Sequence, residues 1–157
     1  MTAAAPDPTD IASLSGLDQL QAMLDGRFPP APIAASLGFT LTELEAGRVV
    51  FEGTPSLAMY NPIGTVHGGW IATLLDSACG CAVHSMLKPG QAYTSLEIKT
   101  VFHRALTEGT PVIAEGRIVQ SGRRAAFAEA DLKGVDGKLY ATATSTCLIM
   151  ETPPAAT

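Results

Sequence analysis

The stretch from Tyr60 to Met86, YNPIGTVHGGWIATLLDSACGCAVHSM, limits the possible folds more than any other part of the chain. It reads as a turn-rich loop running into one long and almost wholly apolar helix, and a helix apolar all round belongs in a core. The run from Trp70 to Leu87 has the length of a membrane span, yet it contains Asp76 and His84 and lacks the usual basic flanks. A buried core helix is the expectation, not a span. An ionised carboxylate in such a helix costs free energy unless a partner or a task explains it, and no Lys or Arg lies on the helix beside Asp76. Residues one turn to either side, Ala72, Thr73, Cys79 and Gly80, are small. The pattern predicts a cavity with an acid in its wall.

The other end of the segment supplies the complement. Asn61, Pro62 and Gly64 are turn formers, and His67-Gly68-Gly69 stands where the loop becomes helix. The first N–H groups of a helix have no acceptor inside it, and a glycine has no Cβ to block an approaching oxygen. The Gly68 N–H, with Gly69 next to it, is therefore a candidate donor to a carbonyl or an oxyanion. Gly68 and Asp76 stand eight residues apart, which on one helix is ~12 Å along the axis, too far for both to touch one reacting carbonyl. Two antiparallel copies of the helix would bring Gly68 of one chain beside Asp76 of the other. The spacing predicts a two-fold dimer with two shared sites.

Composition narrows the function classes. A chain of 157 residues with 46% hydrophobic content suits one domain with a real core. Its net charge of -5 leaves no basic stripe to offset phosphate repulsion, so nucleic acid is not an expected partner. Cys79, Cys81 and Cys147 form neither a CxxC pair nor a zinc spacing, and His67, His84 and His103 give no HxH or HExxH. Reduced thiols in a cytoplasmic protein, no metal and no cofactor are expected. The opening residues, MTAAAPDPTDIASL, carry neither the basic start nor the sustained apolar run of a secretory signal.

In chain order, residues 1–13 are rich in Ala, Pro and Asp and read as an extension. LDQLQAML, from Leu17 to Leu24, has the apolar face of a short helix stopped by Gly26 and Pro29-Pro30, and Pro32 to Ser36 adds a helical turn. Phe39 to Glu45 and Arg48 to Thr54 alternate as a hairpin around Ala46-Gly47. After the long helix, which Lys88-Pro89-Gly90 stops, period-two alternation marks Ala92 to Phe102, Pro111 to Gln120, Ala125 to Lys133 and Leu139 to Met150. Gly109, Ser121-Gly122 and Asp136-Gly137 supply the turns. One long helix and about six mostly antiparallel strands make an α+β domain in which a curved sheet packs on the helix. The expected division is an extension over 1–36, the domain over 37–151 and a tail over 152–157.

The order N-x5-H-G-G-x6-D, formed by Asn61, His67-Gly68-Gly69 and Asp76 ahead of a small-residue helix, resembles the hot-dog-fold acyl-CoA thioesterases, in particular the phenylacetic-acid-degradation (PaaI-like) branch. Tyr93-Thr-Ser-Leu-Glu-Ile-Lys-Thr-Val-Phe-His-Arg-Ala and Gly122-Arg-Arg-Ala-Ala-Phe-Ala-Glu-Ala extend the likeness, which spans roughly Leu37 to Met150. The resemblance implies that the sheet wraps the helix and that dimers extend the sheet edge to edge and pair into a homotetramer. It implies hydrolysis of a small or medium, aryl or alkyl, acyl-CoA, with Asp76 attacking the thioester carbonyl or activating water. It implies that His67 supports the thioester end, that Asn61 stands beside the partner's acid, and that a hydroxyl at Ser95 holds the acid or the water. Thr94 is the alternative to Ser95, since neighbouring strand residues face opposite sides. Arg123 and Arg124, in a hairpin turn, are candidates for holding the carrier's phosphates, and Tyr60, Trp70, Tyr93 and Phe102 either line an acyl pocket or pack the core. His84 and His103 read as structural.

Three other readings stay open on the residues alone. A hot-dog hydratase or dehydratase shares the fold, but its motifs are not seen. A non-catalytic acyl-CoA-binding protein would usually carry a DNA-binding extension, and the acidic leader has no basic helix. A Ser-His-Asp hydrolase built from Ser95, His67 and Asp76 lacks the G-x-S-x-G elbow that presents a serine.

Overall fold

A computed structural model describes residue 11 and residues 13–152. The extension at residues 1–10 and 12 and the tail at 153–157 lie outside the described residues.

Two short helices lead. α1, Gly16–Leu24, is capped by Ser15, whose hydroxyl accepts from the Asp18 N–H, and α2, Pro32–Leu37, starts on a proline whose missing N–H costs nothing in the first turn. Then come β1 (Phe39–Glu45), β2 (Arg48–Gly53), a 3-10 turn at Leu57–Met59, the long helix α3 (Gly68–His84), β3 (Gln91–Phe102), β4 (Val112–Ser121), β5 (Ala125–Gly134) and β6 (Leu139–Glu151). Every expected strand is present to within a residue or two. Gly47, at φ 80°, makes the tight β1–β2 turn, and its N–H bonds the Ser85 hydroxyl beyond the end of α3.

The six strands form one antiparallel sheet in the order β1-β2-β4-β5-β6-β3. Its inner face is small: Ala126, Ala128 and Ala130 of β5 and Gly116 of β4 let the helix lie close, and a Cβ on Gly116 would overlap the Ala78 carbonyl of α3. Trp70, Ile71, Leu74, Leu75, Ala78, Cys79, Ala82 and Val83 of α3 are buried against it. The outer face carries charge, with Arg48 and Arg117 both bonding Glu115, and Arg117 continuing to Asp131.

The helix is not buried all round within one chain. Ala72, Thr73, Asp76 and Ser77 are only half-buried and Gly69 is exposed, because the sheet covers the opposite side and α1 reaches only the C-terminal end. Beside that uncovered strip runs β3, an edge strand of 12 residues carrying exposed Leu96, Val101 and Phe102. A long apolar edge of this kind calls for cover from another chain.

The leader is tied to the domain. The Gly16 N–H donates to the Leu87 carbonyl, His84 Nε2 lies 3.0 Å from Gln19 Oε1, and Leu20 and Ala34 are buried in the core.

Candidate active site

The loop ahead of α3 is fixed by its own polar groups. Asn61 Oδ1 accepts from the N–H groups of Ile63 and Thr65 at 3.1 and 3.4 Å, while its Nδ2 donates to Thr65 Oγ1 at 3.1 Å. Val66 N–H reaches the Leu106 carbonyl and His67 N–H the Met59 carbonyl, so the loop is held on both sides. His67 caps the helix: Nδ1 accepts from the Gly69 N–H at 2.8 Å, and the His67 carbonyl accepts from the Trp70 N–H. The cap therefore occupies the second and third N–H groups of α3. The first, on Gly68, has no acceptor within the helix.

Gly68 and Asn61 line a cavity of about 440 Å³ whose wall also includes Ile71, Phe102, Arg104 and Leu106. A Cβ on Gly68 would come within 2.9 Å of Phe102 Cζ, so the ring closes over the glycine and a side chain there would displace it. Asp76 lines a different cavity, of about 260 Å³, with Ser77, Cys81, Tyr93 and apolar residues of α1, α2, β1 and β2. Within one chain the donor and the acid thus occupy separate hollows.

Ser95 and Asp76 meet across the fold. Ser95 Oγ donates to Asp76 Oδ1 at 3.2 Å, because β3 runs alongside α3 and its inward residues face the helix. Ser95 stands opposite the buried Cys147 in the register and Thr94 opposite Leu148, one residue on and hence on the other side of the sheet. A bulge at Leu96 re-phases the strand immediately afterwards. Ser95 bonds the acid directly and the His67 ring is engaged at the far end of the helix, so the three do not form a serine triad. Arg123 and Arg124 are exposed in the β4–β5 turn, make no ion pair among the described residues, and line neither cavity.

One expectation about the surroundings changes. Gly80 leaves no empty space beside Asp76: the Tyr93 ring fills that notch, and a Cβ on Gly80 would overlap its hydroxyl. The leader packs on the domain and supplies Leu20, Met23, Leu24 and Ala34 to the Asp76 cavity. Its amphipathic period signals an apolar face, but not what that face covers. Arg104, which lies in the stretch Tyr93 to Ala105 and has no site role in the sequence reading, lines the Gly68 cavity.

The remaining titratable groups have structural surroundings. Burial, with the Asp76 charge added, pushes the Cys79 and Cys81 thiols up to about 12, which keeps them protonated and poor nucleophiles. Burial lowers the His84 pKa, and His103 Nε2 lies 3.0 Å from Thr142 Oγ1. Among the described residues no group of three His, Cys, Asp or Glu is placed to hold a metal, and no helix is long and apolar enough to cross a membrane.

A six-stranded antiparallel sheet curled on one central helix, with a carboxylate on that helix, defines the hot-dog class of α+β domains. Residues 63–141 match the family described as the Thioesterase superfamily. A phenylacetic acid degradation-related protein of Ralstonia eutropha superposes with a TM-score of 0.75 at 30% identity, covering 82% of this chain and 97% of that one. Phenylacetic acid degradation protein PaaI of Thermus thermophilus gives a TM-score of 0.70 at 29% identity, over 75% and 98% of the two chains. The proofreading thioesterase EntH of Klebsiella pneumoniae is 32% identical over 59% of this chain and 66% of its own length. Human acyl-coenzyme A thioesterase 13 is 28% identical over 65% of this chain and 73% of its own. The chain belongs to the thioesterase superfamily and is a hot-dog thioester hydrolase of the PaaI-like type.

Proposed function

We propose that the protein hydrolyses a small or medium acyl-CoA to the free acid and CoA, in active sites shared between two chains. The observation that carries this reading is the separation of Gly68 and Asp76 into different hollows of one chain, on a helix whose Thr73, Asp76 and Ser77 stay only half-buried. The thioester carbonyl oxygen accepts from the Gly68 N–H of one protomer, at the positive end of the helix dipole. Asp76 of the other protomer attacks the carbonyl carbon or takes a proton from the attacking water, and Ser95 orients its carboxylate. The thiolate leaves readily, since thiols ionise near pH ~8.5.

The name of the human relative, an acyl-coenzyme A thioesterase, supports CoA as the carrier. His67 contributes as the cap that leaves Gly68 unoccupied, and Asn61 by holding the loop open beside it. Arg104 has a better placement than Arg123 or Arg124 for the phosphorylated end of the carrier, because it alone of the three lines the Gly68 cavity. The dimer forms through the β3 edge, and pairs of dimers make the homotetramer.

Asp76→Asn tests the reading. It should abolish release of free thiol from a saturated acyl-CoA, by ~10³-fold or more as for removal of other reacting groups, and leave the solution mass of the assembly unchanged. Wild-type turnover by the purified variant would remove Asp76 from the mechanism. Thiol release from a saturated chain also separates hydrolysis from hydration chemistry.

A further inference from the structure

Ser95 and Phe102 serve opposite ends of α3 from the same strand. Ser95 Oγ donates to Asp76 Oδ1 and the Phe102 ring closes over Gly68, so both side chains lie on the helix side of β3. They stand seven residues apart, and in an unbroken strand an odd separation puts two side chains on opposite faces. The bulge reconciles them. Ser95 stands opposite Cys147 and Glu97 opposite Thr146, which leaves Leu96 as the extra residue and shifts the phase of all that follows. A bulge displaced one residue toward the start of β3 would leave Phe102 in place and turn Ser95 away from the acid.

Nothing at Leu96 itself fixes that position: it is not a glycine, its φ is not positive, and its side chain is 63% exposed. The anchor comes from β6. Ser145 is buried on an inner face otherwise lined by Ala126, Ala128, Ala130 and Ala143. A hydroxyl there is costly to bury without a partner, and its Oγ donates to the Glu97 carbonyl at 2.9 Å, on the residue directly after the bulge. The buried Cys147 Sγ lies 3.7 Å from Ser145 Oγ and 4.0 Å from Ser95 Oγ. Both hydroxyls give their protons elsewhere, to Glu97 and Asp76, so the thiol proton has an oxygen acceptor on either side. One contiguous polar chain thus runs from the Glu97 carbonyl through Ser145, Cys147 and Ser95 to Asp76.

Resting on the hydrolase reading above, we infer that Ser145 is a positioning residue: by holding the Glu97 carbonyl it pins the bulge at Leu96, and so keeps the Ser95 hydroxyl on Asp76 while Phe102 stays over Gly68.

Ser145→Ala tests this, and the fold should accept it because the neighbouring inner positions are already alanine. Thiol release is followed with hexanoyl-CoA and phenylacetyl-CoA. The kcat should fall about fivefold, the worth of one ordinary hydrogen bond, while KM stays within about twofold of the wild type. Made in a Ser95→Ala background, the same change should cost nothing further, because the pin acts only through Ser95. Ser145→Cys, which keeps the shape but only a weak donor, should resemble the alanine variant. An unchanged kcat in both variants, or an equal loss with and without the Ser95 hydroxyl, would overturn the inference while leaving the hydrolase reading intact. Failure of the wild type to cleave either thioester would sink both.

Discussion

Burial lowers the pKa of the His84 imidazole, and the consequence is a pH dependence that can be signed. Its folded pKa is lowered, so below about pH 6.5, the ordinary value, the unfolded chain takes up a proton that the folded one resists. This contribution to stability is therefore fully present above that pH and is lost as the pH falls below it. Urea midpoints should decline between pH 7.5 and 5, and more gently in His84→Gln, which keeps a polar partner for Gln19. Equal declines in the two proteins would assign the loss to other groups. At the same scale, the role of Ser95 follows from strand parity. The sequence left Thr94 and Ser95 as alternatives because a loop of uncertain length precedes them. The Asp76 bond and the facing of Cys147 put Ser95 on the helix side, but only the register of β3 against β6 decides that.

Among the elements, α3 and its glycine contacts separate rigid neighbours from yielding ones. A Cβ on Gly116 meets the Ala78 backbone carbonyl, in the middle of a helix that cannot shift without moving the core. A Cβ on Gly80 meets the end of the Tyr93 side chain, which can swing. Gly116→Ala should therefore cost about 2–4 kcal/mol in urea denaturation and Gly80→Ala about 1 kcal/mol. The opposite order would mean that the helix yields more easily than the ring. Element boundaries were legible because alternation and turn residues agree along the chain, from Gly47 between β1 and β2 to Gly137 before β6. The uncovered strip on α3 was not legible. A helix apolar all round reads the same whether its last side meets its own sheet or a second molecule.

At the level of the whole molecule, the proposed shared site makes a prediction that no single-chain site would. Gly68→Val, with a side chain forced against Phe102, and Asp76→Asn should each be inactive alone. When the two proteins are unfolded together and refolded, half the dimers are hybrids in which one of the two sites has both native partners. Activity should then return to about a quarter of the wild-type level. No recovery from refolded mixtures, with hybrids detected by mass, would mean that each chain works alone. The sequence by itself determined the α+β architecture, the strands and their turns, the acid on the central helix and the glycine at its start, because these follow from periodicity and from distances along one element. Only the tertiary structure decided that β3 crosses to the free edge beside β6, that Tyr93 occupies the notch at Gly80, and that the leader helices wall the Asp76 cavity. Those outcomes depend on contacts between segments far apart in the chain, whose energies no local pattern of residues encodes.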